Sequence, residues 1–381
     1  MLPISAAALA ALGQAVRRPV RAEWSNDGGR TWTRAVFGSG TVTPDRTADC
    51  RYSAAVELLD APRGASGING ITTRVRLFQG LGIPRRDVEW IPAGVYVIDR
   101  LRRTRLGVSL DLLGLEDVVR GDEFPVARTV GPDTAQACAA LLYGEALPGQ
   151  AVAWRPGVTP STQVPAFVVD QDRWAALSGG GDSSGASTGI APALGGETWC
   201  DARGIPTFGP VPSVTDPVVW RIPLGLAVAE PAQEENTETL RNLWVVTGDA
   251  GDGAAPVGPV YVWDDDPASL TYAGPDPVGD PGAPGRLGLP VRVRTGRYTS
   301  PLITTAAQAE DVGRAQLADS LGVQASLSFT SVANPALEAG DVVEVEVTEG
   351  VWERHLVDSC PYTLGGISQT CQTRTGTRKV A

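Results

Sequence analysis

The sequence predicts a mainly β protein with an α+β middle region, and three observations carry that. Apolar and polar residues alternate with a period of two in many stretches, the pattern of strands with one buried face. Gly (45) and Pro (30) are frequent enough among 381 residues to turn the chain between many short strands. Helical spacing is confined to three short segments. A chain of this length exceeds what one hydrophobic core usually serves, so two or three domains are expected.

Val75 and Leu77 alternate with Arg74 and Arg76, and Val108, Leu110 and Leu112 alternate with Ser109 and Asp111. Val291 and Val293 alternate with Arg292 and Arg294 in the same way. Residues 93–99 (AGVYVID) are β-branched and aromatic, without helix-forming charges. Residues 24–32 (WSNDGGRTW) read as two strand ends around an Asn-Asp-Gly-Gly turn.

Ile4, Ala8, Leu12 and Val16 recur every fourth residue and give an N-terminal helix one apolar face. No basic residue precedes that stretch, and Arg17 and Arg18 follow it, the reverse of a secretory signal. A docking helix is expected there. Residues 134–142 (TAQACAALL) are expected to form a helix capped by Asp133, whose carboxylate can accept from first-turn amides. Residues 305–321 are expected to form a third, with Ala306, Ala309, Gly313, Leu317 and Leu321 as its stripe and Gly322 as its stop. The small residues in that stripe suggest close packing on a sheet. No apolar run approaches the roughly 18 residues of a membrane span. Residues 178–189, 248–258 and 274–288 are rich in Gly, Pro, Ser and Asp, and read as loops inserted in a folded middle region. The first of these is expected to be mobile.

The sequence rules out more chemistry than it supports. A net charge of −11 opposes a protein that grips nucleic-acid phosphates. The basic stretches at Arg17–Arg18, Arg85–Arg86 and Arg100 to Arg105 read as solvated or interface faces. His355 is the only histidine, and a strand running through Asp358 and Cys360 turns alternate residues to opposite sides, so no nucleophile–base pair is assigned. The only lysine, Lys379, lies in the tail, away from any phosphate-binding loop. Five cysteines without a CxxC pair argue against zinc and against a disulfide scaffold. Cys360 and Cys371 are equidistant from Gly365–Gly366, so a hairpin there would set them face to face. Such a pair is either a cross-strand disulfide or two packed thiols, and thiols are the expected state. Asp264, Asp265 and Asp266 read as a solvated acidic turn rather than a Ca²⁺ site, because three consecutive residues cannot all face one ion. No two of the 43 acids stand out as a glycosidase pair. No catalytic, cofactor-binding or metal-ligating residue is therefore assigned, and no enzyme activity is expected.

The C-terminal third carries the most specific tract. Leu327 and Phe329 alternate with Ser326, Ser328 and Thr330, and NPALEAGD (334–341) then turns the chain into VVEVEV (342–347). Val343, Val345 and Val347 are expected to pack inward, with Glu344 and Glu346 facing out and Gly340 permitting the turn. An NPxLxxGDVVEV tract, with a helix before it and a closing hairpin after it, resembles the second barrel of phage tail hub proteins of the late-control protein D superfamily. Residues 91–124 (IPAGVYVIDRLRRTRLGVSLDLLGLEDVVRGDEF) resemble the segment closing the first barrel of those hubs. The helix at 134–142 and GETWCDARGIPTFGP (196–210) resemble their middle domain. The Arg-for-Lys bias and abundant Ala, Gly and Val point to a GC-rich genome such as that of an actinobacterium or its siphophage.

The resemblance implies two β-barrel hub domains with an inserted middle domain, three copies forming a homotrimeric ring in a virion's tail tip or baseplate. It implies a docking arm at 1–19, a first barrel at 20–124, a middle domain at 125–300 that lends part of itself to the second barrel, and a helix plus second barrel at 301–381. Implied partners are a distal tail or tail tube protein, the C-terminal end of the tape-measure protein, and a tail fibre or spike protein, with DNA only passing through the lumen. The Gly/Pro-rich middle insertions depart from the simplest hubs. Two other classes fit the composition: a secreted β-sandwich that binds glycans, for which ten Trp could serve as sugar platforms, and a glycosidase.

Overall fold

The two-residue alternation around Val75 and around Leu110 becomes the inner wall of a closed barrel. The structure, a computed structural model, describes residues 1–60, 62, 67–83, 87–179, 189–234, 240–249, 256–269, 271–278, 293–321 and 325–375. After helix α1 (Ala6–Ala11) come β1 (Val20–Ser25), β2 (Thr33–Pro44), β3 (Tyr52–Leu59), β4 (Arg74–Gly82), β5 (Val88–Arg103) and β6 (Gly107–Gly114). Their order is β1-β4-β5-β6-β3-β2, and β1 pairs back onto β2, so no edge is left open. Val75, Leu77, Val108, Leu110 and Leu112 are all buried inside it.

Helix α1 is shorter than the spacing predicts. Ser5 caps it by accepting from the Ala8 amide, and the residues from Gly13 onward leave the helix. Ala8 and Leu12 are buried in the main core, whereas Val16 is half-buried outside the helix. Docking is reinforced at Ser5, whose hydroxyl donates to Glu89 Oε2 at 2.6 Å.

The middle region is a core of short elements. It contains α2 (Glu116–Gly121), β7 (Arg128–Val130), β8 (Asp133–Thr134), α3 (Ala135–Ala146), β9 (Ala153–Trp154), β10 (Gln163–Val164) and β11 (Phe167–Val169). It continues through α4 (Arg173–Ser178), α5 (Ile190–Ala193), β12 (Gly196–Cys200) and β13 (Pro206–Pro210). Three small sheets, β10-β8, β11-β7 and β12-β13-β9, surround α3. Leu142, Tyr143 and Phe208 are fully buried at the centre of this core. The cap of α3 is Thr134, not Asp133. Thr134 is extended and its hydroxyl accepts from the Ala137 amide, while the Asp133 carboxylate accepts from the Thr134 amide and so sits one residue too early.

Next follow β14 (Val218–Ile222), β15 (Ala227–Glu234), β16 (Leu243–Gly248), β17 (Val257–Trp263) and β18 (Thr295–Ser300). The chain ends with α6 (Ala306–Leu321), β19 (Ala325–Val332), β20 (Val342–Thr348), β21 (Val351–Ser359), β22 (Tyr362–Thr363) and β23 (Ser368–Thr375). Helix α6 lies on the three-stranded sheet β17-β16-β18, and a Cβ on Gly313 would come within 2.6 Å of Val262, so that glycine is the point of closest approach. The buried face of α6 is Ala309, Val312, Gly313 and Ser320, with Ala306 exposed and Leu317 only half-buried, a stripe rotated from the expected one. Ser320 fixes that rotation, because its hydroxyl accepts from Trp244 Nε1 at 3.0 Å and donates to the Arg241 carbonyl at 2.7 Å.

The strand expected around Val293 begins instead at Thr295. Asn242 holds the preceding residue: its Oδ1 accepts from the Arg294 amide, and its own amide donates to the Arg294 carbonyl. Val291 and Arg292, Arg85 and Arg86, Gly322, Lys379 and most of the three Gly-rich stretches lie outside the described residues.

Strands β15-β19-β23-β21-β20-β14 form a second six-stranded unit, into which β14 and β15 bring residues 218–234. Thr41 and Val42 of β2 pair with Thr363 and Tyr362 of β22, so both units belong to one 13-stranded sheet. Their interiors share one apolar core that runs from Leu77 to Val343. No helix among the described residues is long and apolar enough to cross a membrane.

Candidate functional site

The tract 334–341 anchors where the barrel, the middle region and the second unit meet. Asn334 Oδ1 accepts from the Ala336 amide, Asp341 Oδ2 accepts from the Glu338 amide, and Gly340 (φ +98°) donates its amide to the Val357 carbonyl. That positive φ is why glycine stands there. The Met1 amine pairs with Asp341 and with Glu338 (3.4 Å), and the Leu2 amide donates to the Ala336 carbonyl, so the N-terminal arm is stitched to this tract. Tyr52 of the barrel and Arg155 of the middle region also reach Glu338, at 3.3 and 3.6 Å.

Beside the tract lies a buried charge network. The turn between β2 and β3 carries Arg46 and Arg51, and both converge on Glu197 of β12 at 2.9 and 2.5 Å. Arg46 also meets Asp319 of α6 at 3.1 Å. The guanidinium groups of Arg51 and Arg155 both approach the Trp199 ring, at 4.1 and 4.8 Å from its centroid. Burial works to raise the Glu197 pKa, but Arg51 and Arg46 outweigh it and hold the carboxyl below its usual range. Glu116, which opens α2, is fully buried. Its Oε1 accepts from the Arg51 and Cys200 amides at 3.2 and 3.0 Å, whereas Oε2 has no hydrogen-bond partner. Burial raises its pKa.

Two clefts of ≈ 220 Å³ flank the Arg51–Glu197 pair. They hold no nucleophile–base pair, and no cluster among the described residues could ligate a metal. The arrangement ties three segments distant in sequence together through mutually neutralised charges.

The residues singled out in the sequence are scattered. His355 on β21 is fully buried, with Nδ1 3.3 Å from the Thr373 hydroxyl, and burial lowers its pKa to about 4. Cys360 and Cys371 are buried free thiols; the Thr370 amide donates to the Pro361 carbonyl, in the hairpin register the sequence implies. The Cys360 thiol reaches the Leu337 carbonyl at 3.7 Å instead. Asp264 is not solvated, as expected of an acidic turn, but buried; its carboxylate accepts from Ser269 and Thr271 at 2.6 and 2.5 Å, while Asp265 and Asp266 are exposed. Glu344 is also buried rather than outward in solvent, because Arg221 (2.7 Å) and Arg354 (3.3 Å) cover it. Val342, on that same covered face, is buried as well, while Val347 is only half-buried.

The outer face of the barrel at β1 and β4 carries a feature that alternation alone does not disclose. Arg21 stacks on Phe78 and Trp90 at 4.2 and 4.9 Å, and Arg76 stacks on Trp32 at 4.3 Å. Glu23 sits between them, 2.5 Å from Arg76 and 3.5 Å from Arg21. In the sequence its only trace is that Arg74, Arg76 and Phe78 share one parity.

This architecture recurs in solved structures. A tail protein from Neisseria meningitidis MC58 superposes with a TM-score of 0.58, 13% identity, and coverage of 95% of this chain and 97% of that one. A prophage tail protein from Listeria monocytogenes EGD-e gives 0.53 at 10% identity, with 95% of each chain covered. The 43 kDa tail protein of prophage MuSo2 from Shewanella oneidensis gives 0.50 at 14% identity, covering 93% of this chain and 98% of that one. The chain has the fold of phage tail proteins. No family model and no curated protein matches the sequence.

Proposed function

We propose that the chain is a structural hub of a phage tail tip or baseplate. One observation carries the reading: a single chain joins a closed barrel and a second six-stranded unit edge to edge, in a fold shared over 95% of its length with a tail protein. In this reading 20–124 is the first hub barrel, and 301–381 with β14 and β15 makes the second. Residues 1–19 are the docking arm, and the remainder of 125–300 is the middle domain. Three copies then present six barrel units, which fits a threefold tip to a sixfold tube. The net charge of −11 suits a lumen that repels DNA and lets it slide past. Tail tube, tape-measure and fibre or spike proteins are the neighbours such a ring would touch, in an assembled virion.

The glycan-binding reading loses its main support, because only Trp352 among the ten Trp is exposed. The test is mass in solution combined with negative-stain images. A threefold ring with a central pore is expected, and a stable monomer that binds polysaccharide would overturn the proposal.

A further inference from the structure

Two exposed surfaces on opposite units of this chain have complementary character. The first is the outer face of β1, β2 and β4. Glu23 is flanked across the strands by Arg34 and Arg76, and Arg21 lies beside Phe78. Arg34 is exposed, Val36 is 56% exposed, and the stacked Arg21 and Arg76 are half-buried. Aromatic rings and arginines together are the composition of interface hot spots. In a chain of net charge −11, a cationic face is out of character unless it meets an anionic one.

The second surface is the tip of the β20–β21 hairpin. Glu349 and Gly350 make the turn and are exposed, and Val351 and Trp352 follow at 50% and 40% exposure. Glu346 and Glu353 flank them, half-buried. The tip holds Val351 and Trp352 out of its own core, although Arg221 lies over the Trp352 ring at 5.8 Å and Glu346 is engaged by the Leu224 and Gly350 amides. The exposed Glu349 and the neighbouring Glu353 suit its apolar side chains to a basic, aromatic surface.

Within one chain no contact links the two surfaces among the described residues. The joint between the units uses Thr41 and Val42 at the far end of β2, seven residues or about 23 Å from Arg34. We propose that the β20–β21 tip of a second copy of this chain docks on the arginine–aromatic face, with Trp352 against the rings and Glu349 against Arg34. The contact is head-to-tail, so it closes into a ring when the rotation between copies permits. It rests on the ring reading above and names its subunit contact. A duplex DNA ligand for the same face is disfavoured because the chain as a whole repels phosphates.

Charge reversal tests this on the full chain. Arg34→Glu and Glu349→Arg each alter an exposed side chain, and circular dichroism melts should lie close to the parent's, Arg34→Glu slightly lower because it sets a like charge opposite Glu23. Sedimentation velocity at low salt should show each single variant weakening self-association on the order of tenfold. The double variant should return to within about threefold of the parent. If the parent assembles and both single variants assemble equally well, this contact is overturned and the ring reading stands. A parent that stays monomeric at every concentration overturns both. Gel retardation of duplex DNA by the parent but not by Arg34→Glu, with self-association unchanged, assigns the face to nucleic acid and overturns the contact.

Discussion

Val42 of β2 pairs antiparallel with Tyr362 of β22, and through that pair the closed barrel and the second unit become one sheet. The next residue pair continues the joint, and the Leu364 amide donates to the Gly40 carbonyl at 2.9 Å. Val42 and Tyr362 both lie in the shared core. The joint is therefore apolar and hydrogen-bonded, unlike a flexible linker.

Tyr362→Ala should destabilise the whole chain by about 3–5 kcal/mol, the usual loss for emptying a buried aromatic site. Tyr362 is only 4% exposed, so little of the void can be filled by water. Urea unfolding followed by tryptophan fluorescence checks this. A midpoint equal to the parent's would mean that the two units do not depend on the joint.

Glu197→Ala should be similarly severe. It leaves Arg51, over nine-tenths buried, without its carboxylate partner, and leaves Arg46 with Asp319 alone. Removing one partner of a buried ion pair costs about 3–5 kcal/mol. Glu197→Gln keeps hydrogen-bond acceptance and should fall between, which the same urea titration resolves.

Much of the fold was legible because its signals are local. Val75, Leu77, Val108, Leu110 and Leu112 announce a strand face by parity alone, and Asn334 to Asp341 announce a turn by their chemistry. What was not legible is pairing across the chain. Nothing near Glu197 in sequence indicates that Arg46 and Arg51 will converge on it. Glu344 looked outward because its alternation is regular, yet Arg221 from β14 covers it. The buried stripe of α6 is rotated from its apolar pattern because Ser320, a polar residue, is held inward by Trp244. In each case a partner far along the chain overrode a local pattern.

Gly94 is a sharper local case. Its φ of +128° lies where side chains are strained, and a Cβ there would come 2.1 Å from the Tyr96 hydroxyl. That hydroxyl donates to the Ala93 carbonyl, so Tyr96 cannot simply swing away. Gly94→Ala should cost at least about 2 kcal/mol. A thermal melt unchanged from the parent would show that β5 relaxes around the new methyl group.

Two buried groups should give stability a pH dependence of opposite sign. Burial lowers the His355 pKa from 6.5 to about 4. The unfolded chain therefore takes up that proton first, and stability falls as pH drops from 6.5 through 4, by a total of about 3 kcal/mol. Glu116 goes the other way. Burial raises its pKa above 4.5, so the folded state holds the proton longer, and its contribution is present below 4.5 and lost as pH rises through the folded value. His355→Gln should flatten the acid limb, because a neutral amide can still meet the Thr373 hydroxyl. Glu116→Gln should flatten the upper limb, since its Oε1 can still accept from the Arg51 and Cys200 amides. Urea midpoints measured between about pH 4 and about pH 8 separate the two. If the acid limb persists in His355→Gln, the carboxylates and not the histidine set it, and the neutral buried imidazole would be the wrong account of β21.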